Sequence, residues 1–236
     1  TRPKMKVDIP KTSTQLYEKG SQFLFSKFAR ASAWLFFGTL AAGTLAYVFQ
    51  ILMGRMLSPI EYGLFSAMMG LFAVLAAPTS TLMMVISRKV SQYRAEHDDG
   101  SITHFYYWIN IRSAIFGALT LGIFRLYAPQ IQLYMKKGSI IPVYLLGALV
   151  FTTFMPIINN AFLQGIQSFL WLSASGSLWA LLRIIFSFAL VFLGFGVSGA
   201  LGGAILAVLV GWMISYYALY HQLAVGQNKP YRAQHL

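Results

Sequence analysis

Six stretches of this chain, at 31–53, 62–87, 109–127, 140–163, 169–195 and 197–220, are predominantly apolar and about as long as a bilayer is thick. A helix needs about 20 such residues to cross the roughly 30 Å of hydrocarbon, whereas a buried strand is far shorter. A membrane β-barrel would alternate polar and apolar residues along each strand, and these runs do not alternate. Hydrophobic residues make up 57% of the chain and charged ones only 10%, with a mean hydropathy of +0.63, so a soluble domain is excluded. The fold class expected is all-α: a polytopic membrane protein built as a bundle of six transmembrane helices.

A net charge of +12 would point to nucleic acid in a soluble protein, but here the basic residues flank the apolar runs, so no nucleic-acid partner is expected. Seven basic residues fall in 1–30, and Arg88, Lys89, Arg94 and Arg112 surround the second connection, with Lys229 and Arg232 after the last run. Only Arg55, Arg125, Lys136 and Lys137 fall on the other side, so thirteen stand against four. By the positive-inside rule both termini are expected in the cytoplasm. Three regions follow: a basic tail at 1–30, the bundle at 31–220 and a C-terminal tail at 221–236. From Leu16 onward, Phe23, Leu24 and Phe28 interleave with Lys19 and Lys27, the pattern of a helix lying in the membrane surface. The first apolar run begins too late and runs too long for a cleaved signal peptide, and a chain opening on Thr is expected to lack its native start. Aromatic residues near the run ends, such as Tyr106, Tyr107 and Trp108 or Tyr216, Tyr217 and Tyr220, suit interfacial belts.

Ser58, Pro59 and Glu61 read as N-cap, N1 and N3 of the second helix, a capping box that accounts for Glu61 without a substrate. Pro78 and Pro156 fall inside the second and fourth runs, where a proline removes a backbone hydrogen bond. Bending and a hinge for alternating access are both open, and Thr79, Ser80 and Thr81 are positioned to satisfy freed carbonyls. The segment GFGVSG, with Gly194, Gly196 and Gly199, matches a dinucleotide fingerprint but lies between two membrane runs, not after a strand. It reads instead as a tight turn, and Gly199 with Gly203 makes a small-residue step for close helix packing.

Arg183 interrupts the run 169–195 near its middle. A charge at bilayer depth costs roughly 2.5 to 3.5 kcal/mol on insertion scales, so it faces a cavity or a partner. Gly176, Trp179 and Ser187 fall on its helix face. The chain's acids, Asp8, Glu18, Glu61, Glu96, Asp98 and Asp99, all lie outside the deep parts of the runs. No carboxylate is therefore available to Arg183 within its membrane segment. Its planar fork of donors suits phosphate or pyrophosphate oxygens, and the alternative is a fixed partner among neutral groups, lipid or a neighbouring subunit. The same shortage argues against an internal proton relay and leaves sodium coupling through neutral oxygens open. Arg88, Lys89 and Arg94 read as charges that fix topology, or as a phosphate-receiving mouth with Arg88 foremost. Cys is absent, the His residues are scattered, and no nucleophile with base and orienting group is recognisable, so no enzyme, metal or cofactor is expected.

The stretch LSPIEYGLFSAMMGLFAVLAAPTSTLMMVISRKVSQYRAE, at 57–96, resembles the second-helix region of polysaccharide and O-antigen flippases of the multidrug/oligosaccharidyl-lipid/polysaccharide (MOP) exporter superfamily. FMPIINNAFLQGIQSFLWLSASGSLWALLRIIFSFALVFLGFGVSGALGGAI, at 154–205, is similar to their fourth to sixth helices. The resemblance implies two six-helix lobes enclosing a central cavity and rocking to move a lipid-linked anionic saccharide across the membrane. It assigns phosphate reception to Arg183 and, more distantly, Arg88, with Trp179 and Ser187 beside them. Only the N-terminal lobe is matched, so the partner implied, besides membrane lipid, is a second lobe or a homodimeric copy. The other reading is an accessory subunit of a larger membrane complex.

Overall fold

The computed structural model describes the backbone of residues 11–96, 98–134 and 140–227, and within these the side chains of 33–34, 36–96, 98, 100–130 and 140–221. Among the described residues there is no strand. The helices are α1 (Lys11–Met56), α2 (Pro59–Ala95), α3 (Asp99–Tyr134), α4 (Ile141–Gly165), α5 (Phe169–Leu190) and α6 (Gly196–Gln227). The first three reach 46, 37 and 36 residues and overrun the apolar stretches that predicted them. Bilayer thickness limits the apolar run, whereas the helix continues until a breaker or a cap stops it. The surface helix expected before the first crossing is accordingly one unbroken helix with it, and α6 continues seven residues past 220. Residues 1–10 and 228–236, and the side chains of Lys11, Lys19, Lys27, Arg30, Lys136 and Lys137, lie outside the described residues. Much of the charge asymmetry lies there too.

Among the described residues five continuous helical stretches are long and apolar enough to cross a membrane, because the last, Phe169–His221, takes in both α5 and α6. The sixth crossing expected from the sequence is thus not a separate stretch. Within the last one, Val191–Phe195 forms a wide turn in which Gly194 has φ 90°, and Gly196 directly after it has φ 51° with ψ −133°. Side chains with a Cβ rarely adopt such values, which is the reason for glycine here. Beyond the turn α6 doubles back along α5. The Ser187 hydroxyl donates to the Ala200 carbonyl at 2.9 Å. A Cβ on Gly199 would stand 2.9 Å from the Leu190 carbonyl, and one on Gly203 would collide with the Ser187 backbone. The glycine segment is therefore the turn and packing step that its setting implied.

The capping box at the start of α2 is complete. Glu61 N–H donates to Ser58 Oγ at 3.3 Å, and Ser58 N–H donates to Glu61 Oε2 at 3.0 Å. A Cβ on Gly196 would lie 2.5 Å from Glu61 Oε1, so the α1–α2 connection and the α5–α6 turn meet at one end of the bundle. At the other end Ser91 donates to the Gly165 carbonyl at 2.9 Å, tying α2 to the end of α4. Helices α1 and α5 run parallel, with Ser173 and Ser177 donating to the carbonyls of Trp34 and Gly38 at 3.0 and 3.3 Å.

Helix α4 is the spine, packed on α2, α3 and α6. It joins two apolar clusters. Phe49, Met53, Phe65, Met68, Leu146 and Leu201 fill the Glu61 end, and Ile86, Val90, Ile158, Phe162 and Leu219 fill the Gly165 end. Lipid tails are as apolar as these side chains, so association relies on packing and polar contacts. Beside the serine bonds already described, a polar knot contributes: fully buried Asn159 on α4 accepts from the Tyr106 hydroxyl of α3 at 2.9 Å and donates to Ser215 Oγ of α6 at 3.1 Å. Asn159→Ala leaves both hydroxyls without that partner, at a cost of about 1–2 kcal/mol. Its thermal midpoint in detergent is expected below that of Asn160→Ala, and equal midpoints would mean that the knot contributes nothing.

Pro78 and Pro156 both lie within helices that continue through them. Thr79 and Ser80 do bond backward, but to the carbonyls of Ala76 and Ala77, not to that of Val74, which the proline frees. Arg112 is a second departure. Tyr106 pairs with Asn159 and the Phe116 ring meets that of Phe154 at 5.5 Å, so Arg112 stands level with the middle of α4. That is about 15 Å from the Gly165 end, well away from the second connection where its charge was counted.

Candidate functional site

Helix α5 carries Arg183 about 10 Å short of its Glu61 end and about 5 Å past its middle. The side chain is half-buried, with its guanidinium carbon 3.8 Å from the ring centre of Phe49 on α1 and 5.5 Å from that of Trp179. Trp179 precedes it by four residues and so shares its face. Phe49 is 1% exposed and anchored in the packed Glu61 end, which makes it a fixed platform. Stacking leaves the five N–H donors of an arginine pointing outward in the plane of the fork. Among the described residues Arg183 makes no hydrogen bond and no ion pair. The ring face lowers the cost of holding the charge here but does not replace an anion.

Trp179 has a second role. It forms one wall of a cavity of about 180 Å³ between α4, α5 and α6, together with Thr153, Pro156, Asn160, Ser175 and Gly176. Ser175 donates to Asn160 Oδ1 at 3.3 Å, and Thr153 donates to the Leu149 carbonyl at 2.6 Å. The walls hold no charged group, and Arg183 is not among the lining residues. The tryptophan therefore separates a cationic face from a neutral, mostly apolar hollow.

The other residues singled out from the sequence lie elsewhere. Ser187 is fully buried, and its hydroxyl is engaged with Ala200, so it ties α5 to α6 and does not extend the stripe of Gly176, Trp179 and Arg183. A spacing of four residues gives the face of a helix, not the neighbour that covers it. Arg88 is exposed on α2, one turn before Ser91, which binds the end of α4. It lies about 20 Å along the bundle from Arg183, and the two cations are not brought together. Pro78 is exposed on α2, while Pro156 is in the cavity wall. Phe49, Asn160 and Ser175 were not identified as site residues. Asn160 had a signal, an amide four residues after a proline within a membrane segment. Phe49 had none, because its ring comes from a distant helix. Among the described residues no group of acids and histidines could hold a metal ion.

The model of the family described as polysaccharide biosynthesis protein matches residues 28–235. The chain belongs to that family. Its fold is that of one half of a MOP superfamily transporter. A MOP superfamily transporter from Pyrococcus furiosus Vc1 (DSM3638), described as having a binding pocket of reverse polarity that suggests a different function, superposes with a TM-score of 0.71 at 18% identity. The alignment covers 86% of this chain and 48% of that one. A multidrug resistance MATE family transporter of the same superfamily, in an outward-facing conformation, gives 0.68 at 19% identity with the same coverage of 86% and 48%. This polysaccharide biosynthesis family chain thus spans about half the length of the solved structures it matches. Curated protein sequences give no match. Apolar helices and transporter-like architecture together identify a multi-pass membrane protein.

Proposed function

We propose that this chain acts as a lobe of a membrane exporter that carries a lipid-linked oligosaccharide or polysaccharide precursor across a bacterial or archaeal cytoplasmic membrane by alternating access. One observation carries the reading: Arg183 rests on Phe49 and Trp179, with no hydrogen bond or ion pair among the described residues. Such a guanidinium offers bidentate donors to the phosphate that joins a saccharide to its lipid. Family membership supports a place in polysaccharide biosynthesis, and the half-transporter fold supports rocking against a second lobe.

In this reading residues 31–220 form the transport bundle, with 1–30 and 221–236 as cytoplasmic tails and no catalytic step. Arg88 meets the phosphate at the Gly165 end, Arg183 holds it during passage beside Trp179, and Pro78 and Pro156 let α2 and α4 flex. Ser187 contributes by holding α6 against α5. The opposite wall of the passage comes from a second lobe, a second copy of the chain or another subunit of a membrane complex.

A flipping assay tests this. The full-length protein is reconstituted with a fluorescent lipid-linked oligosaccharide, and the label reachable by an external quencher is followed over time. Protein-dependent transfer between leaflets is the expected result. Label that stays in its original leaflet, with the protein folded and inserted, would remove the reading.

A further inference from the structure

Arg112 carries a site of its own. Its guanidinium carbon lies 4.0 Å from the ring centre of Trp108, one turn earlier on α3, so the side chain folds back toward the start of the helix. Among the described residues it makes no hydrogen bond and no ion pair. Helix α3 packs chiefly on α4, with lesser contact to α2, which leaves its outer face uncovered. On that face Trp108, Ile111, Arg112, Ile115, Phe116 and Leu119 line an open groove of about 550 Å³. Ile111, Ile115, Phe116 and Leu119 are each more than half exposed, so the cation is set in an apolar surface.

An arginine on the apolar flank of a membrane helix requires a counter-charge or water, and its long side chain reaches toward the nearer interface. The groove has a direction. The Arg112 backbone stands about 15 Å from the Gly165 end, but the guanidinium is drawn back over Trp108, about 6 Å nearer that surface, and Leu119 lies about 10 Å deeper than Arg112. A phospholipid in the adjoining leaflet has the same polarity, with its phosphate toward the surface and its acyl chains inward. A flat protein partner would not need that gradient.

We propose that the Trp108–Arg112 end of this groove binds the phosphate of an anionic phospholipid, whose acyl chain lies along Ile111, Ile115, Phe116 and Leu119. The stacked indole fixes the guanidinium plane, so its donors face the headgroup and a lipid is retained there in preference to its neighbours. The site is separate from Arg183 and independent of what the protein transports.

The test uses the full chain with Ile115→p-benzoylphenylalanine, reconstituted in phosphatidylcholine vesicles holding a minor fraction of phosphatidylglycerol. After irradiation, adduct masses identify what covers the groove. Phosphatidylglycerol adducts are expected at about fivefold their share of the vesicle lipid, falling to that share in Arg112→Gln. Adducts in proportion to the vesicle composition, or adducts to polypeptide, would overturn the proposal. The comparison of the two lipids in the Arg112 protein decides the matter even if Arg112→Gln fails to fold.

Discussion

Arg183→Ala is expected to reduce flipping of a lipid-linked saccharide by about a hundredfold or more while leaving the protein folded. Truncating one member of a buried hydrogen-bonded charge pair costs about 2–5 kcal/mol, and 1.4 kcal/mol is a factor of ten. The effect on folding should be small or favourable for a reason specific to this site. Arg183 makes no hydrogen bond or ion pair among the described residues, so its removal orphans no partner there and relieves the burial of a charge. The loss is the stacking on Phe49 and Trp179. Thermal midpoint and flipping rate, measured on the same preparation, separate the two effects. Arg183→Lys keeps the charge but loses the fork, and should fall between wild type and alanine in rate. Unchanged flipping in Arg183→Ala would exclude Arg183 from the mechanism, whereas a collapse of thermal midpoint along with rate would assign it a structural role.

Gly203→Leu should prevent assembly of the bundle. A Cβ at Gly203 meets the backbone nitrogen and Cα of Ser187 and the carbonyl carbon of Phe186, and backbone cannot move aside as a flexible side chain can. Separating α5 from α6 also breaks the bond from Ser187 to Ala200. Overpacking of a tight core costs about 1–3 kcal/mol, occasionally more, and here the lost hydrogen bond adds to it. Size-exclusion profiles in detergent should show aggregate or no protein. Gly43, with nothing within 4 Å of an added Cβ, is the control, and Gly43→Ala should be neutral or stabilise by up to about 1 kcal/mol. A Gly203→Leu protein that elutes and melts like Gly43→Ala would mean that the hairpin is not packed as described.

The membrane segments were legible because continuous apolar runs have one physical solution in a bilayer. Their ends were not: α2 extends through the polar helix formers Arg88, Lys89, Gln92 and Arg94, and α3 begins at Asp99 among weak formers such as Gly100, Ser101 and Thr103, so hydropathy falls off where the helix does not. This explains Arg112. The aromatic triplet at 106–108 reads as an interface, but α3 starts at Asp99 and pairs Tyr106 with buried Asn159, which carries the next turn toward mid-membrane. Arg183 stood out because its cost is local and large. Its surroundings did not stand out, since the platform beneath it belongs to α1 and no spacing along α5 encodes that neighbour. Ser187 shows the same limit in reverse: spacing gave its helix face, but not that α6 covers it and that its hydroxyl donates to the Ala200 carbonyl. The glycine turn was readable because a sequence position that needs positive φ admits few residues.

The division of the apolar core along α4 has a mechanical consequence. Leu146 and Leu149 are locked into one end, Ile158 and Phe162 into the other, and between them Pro156 borders an open cavity. Strain applied across the lobe is resisted by close packing at both ends, where any displacement forfeits contacts, and is absorbed most cheaply at the waist, where void already exists. Under load the lobe is therefore expected to bend as two stiff plates joined by a compliant strip, not to act as a rigid rod. A force on one plate reaches the other mainly as a change in the angle between them, and the volume of the cavity beside Trp179 registers that angle.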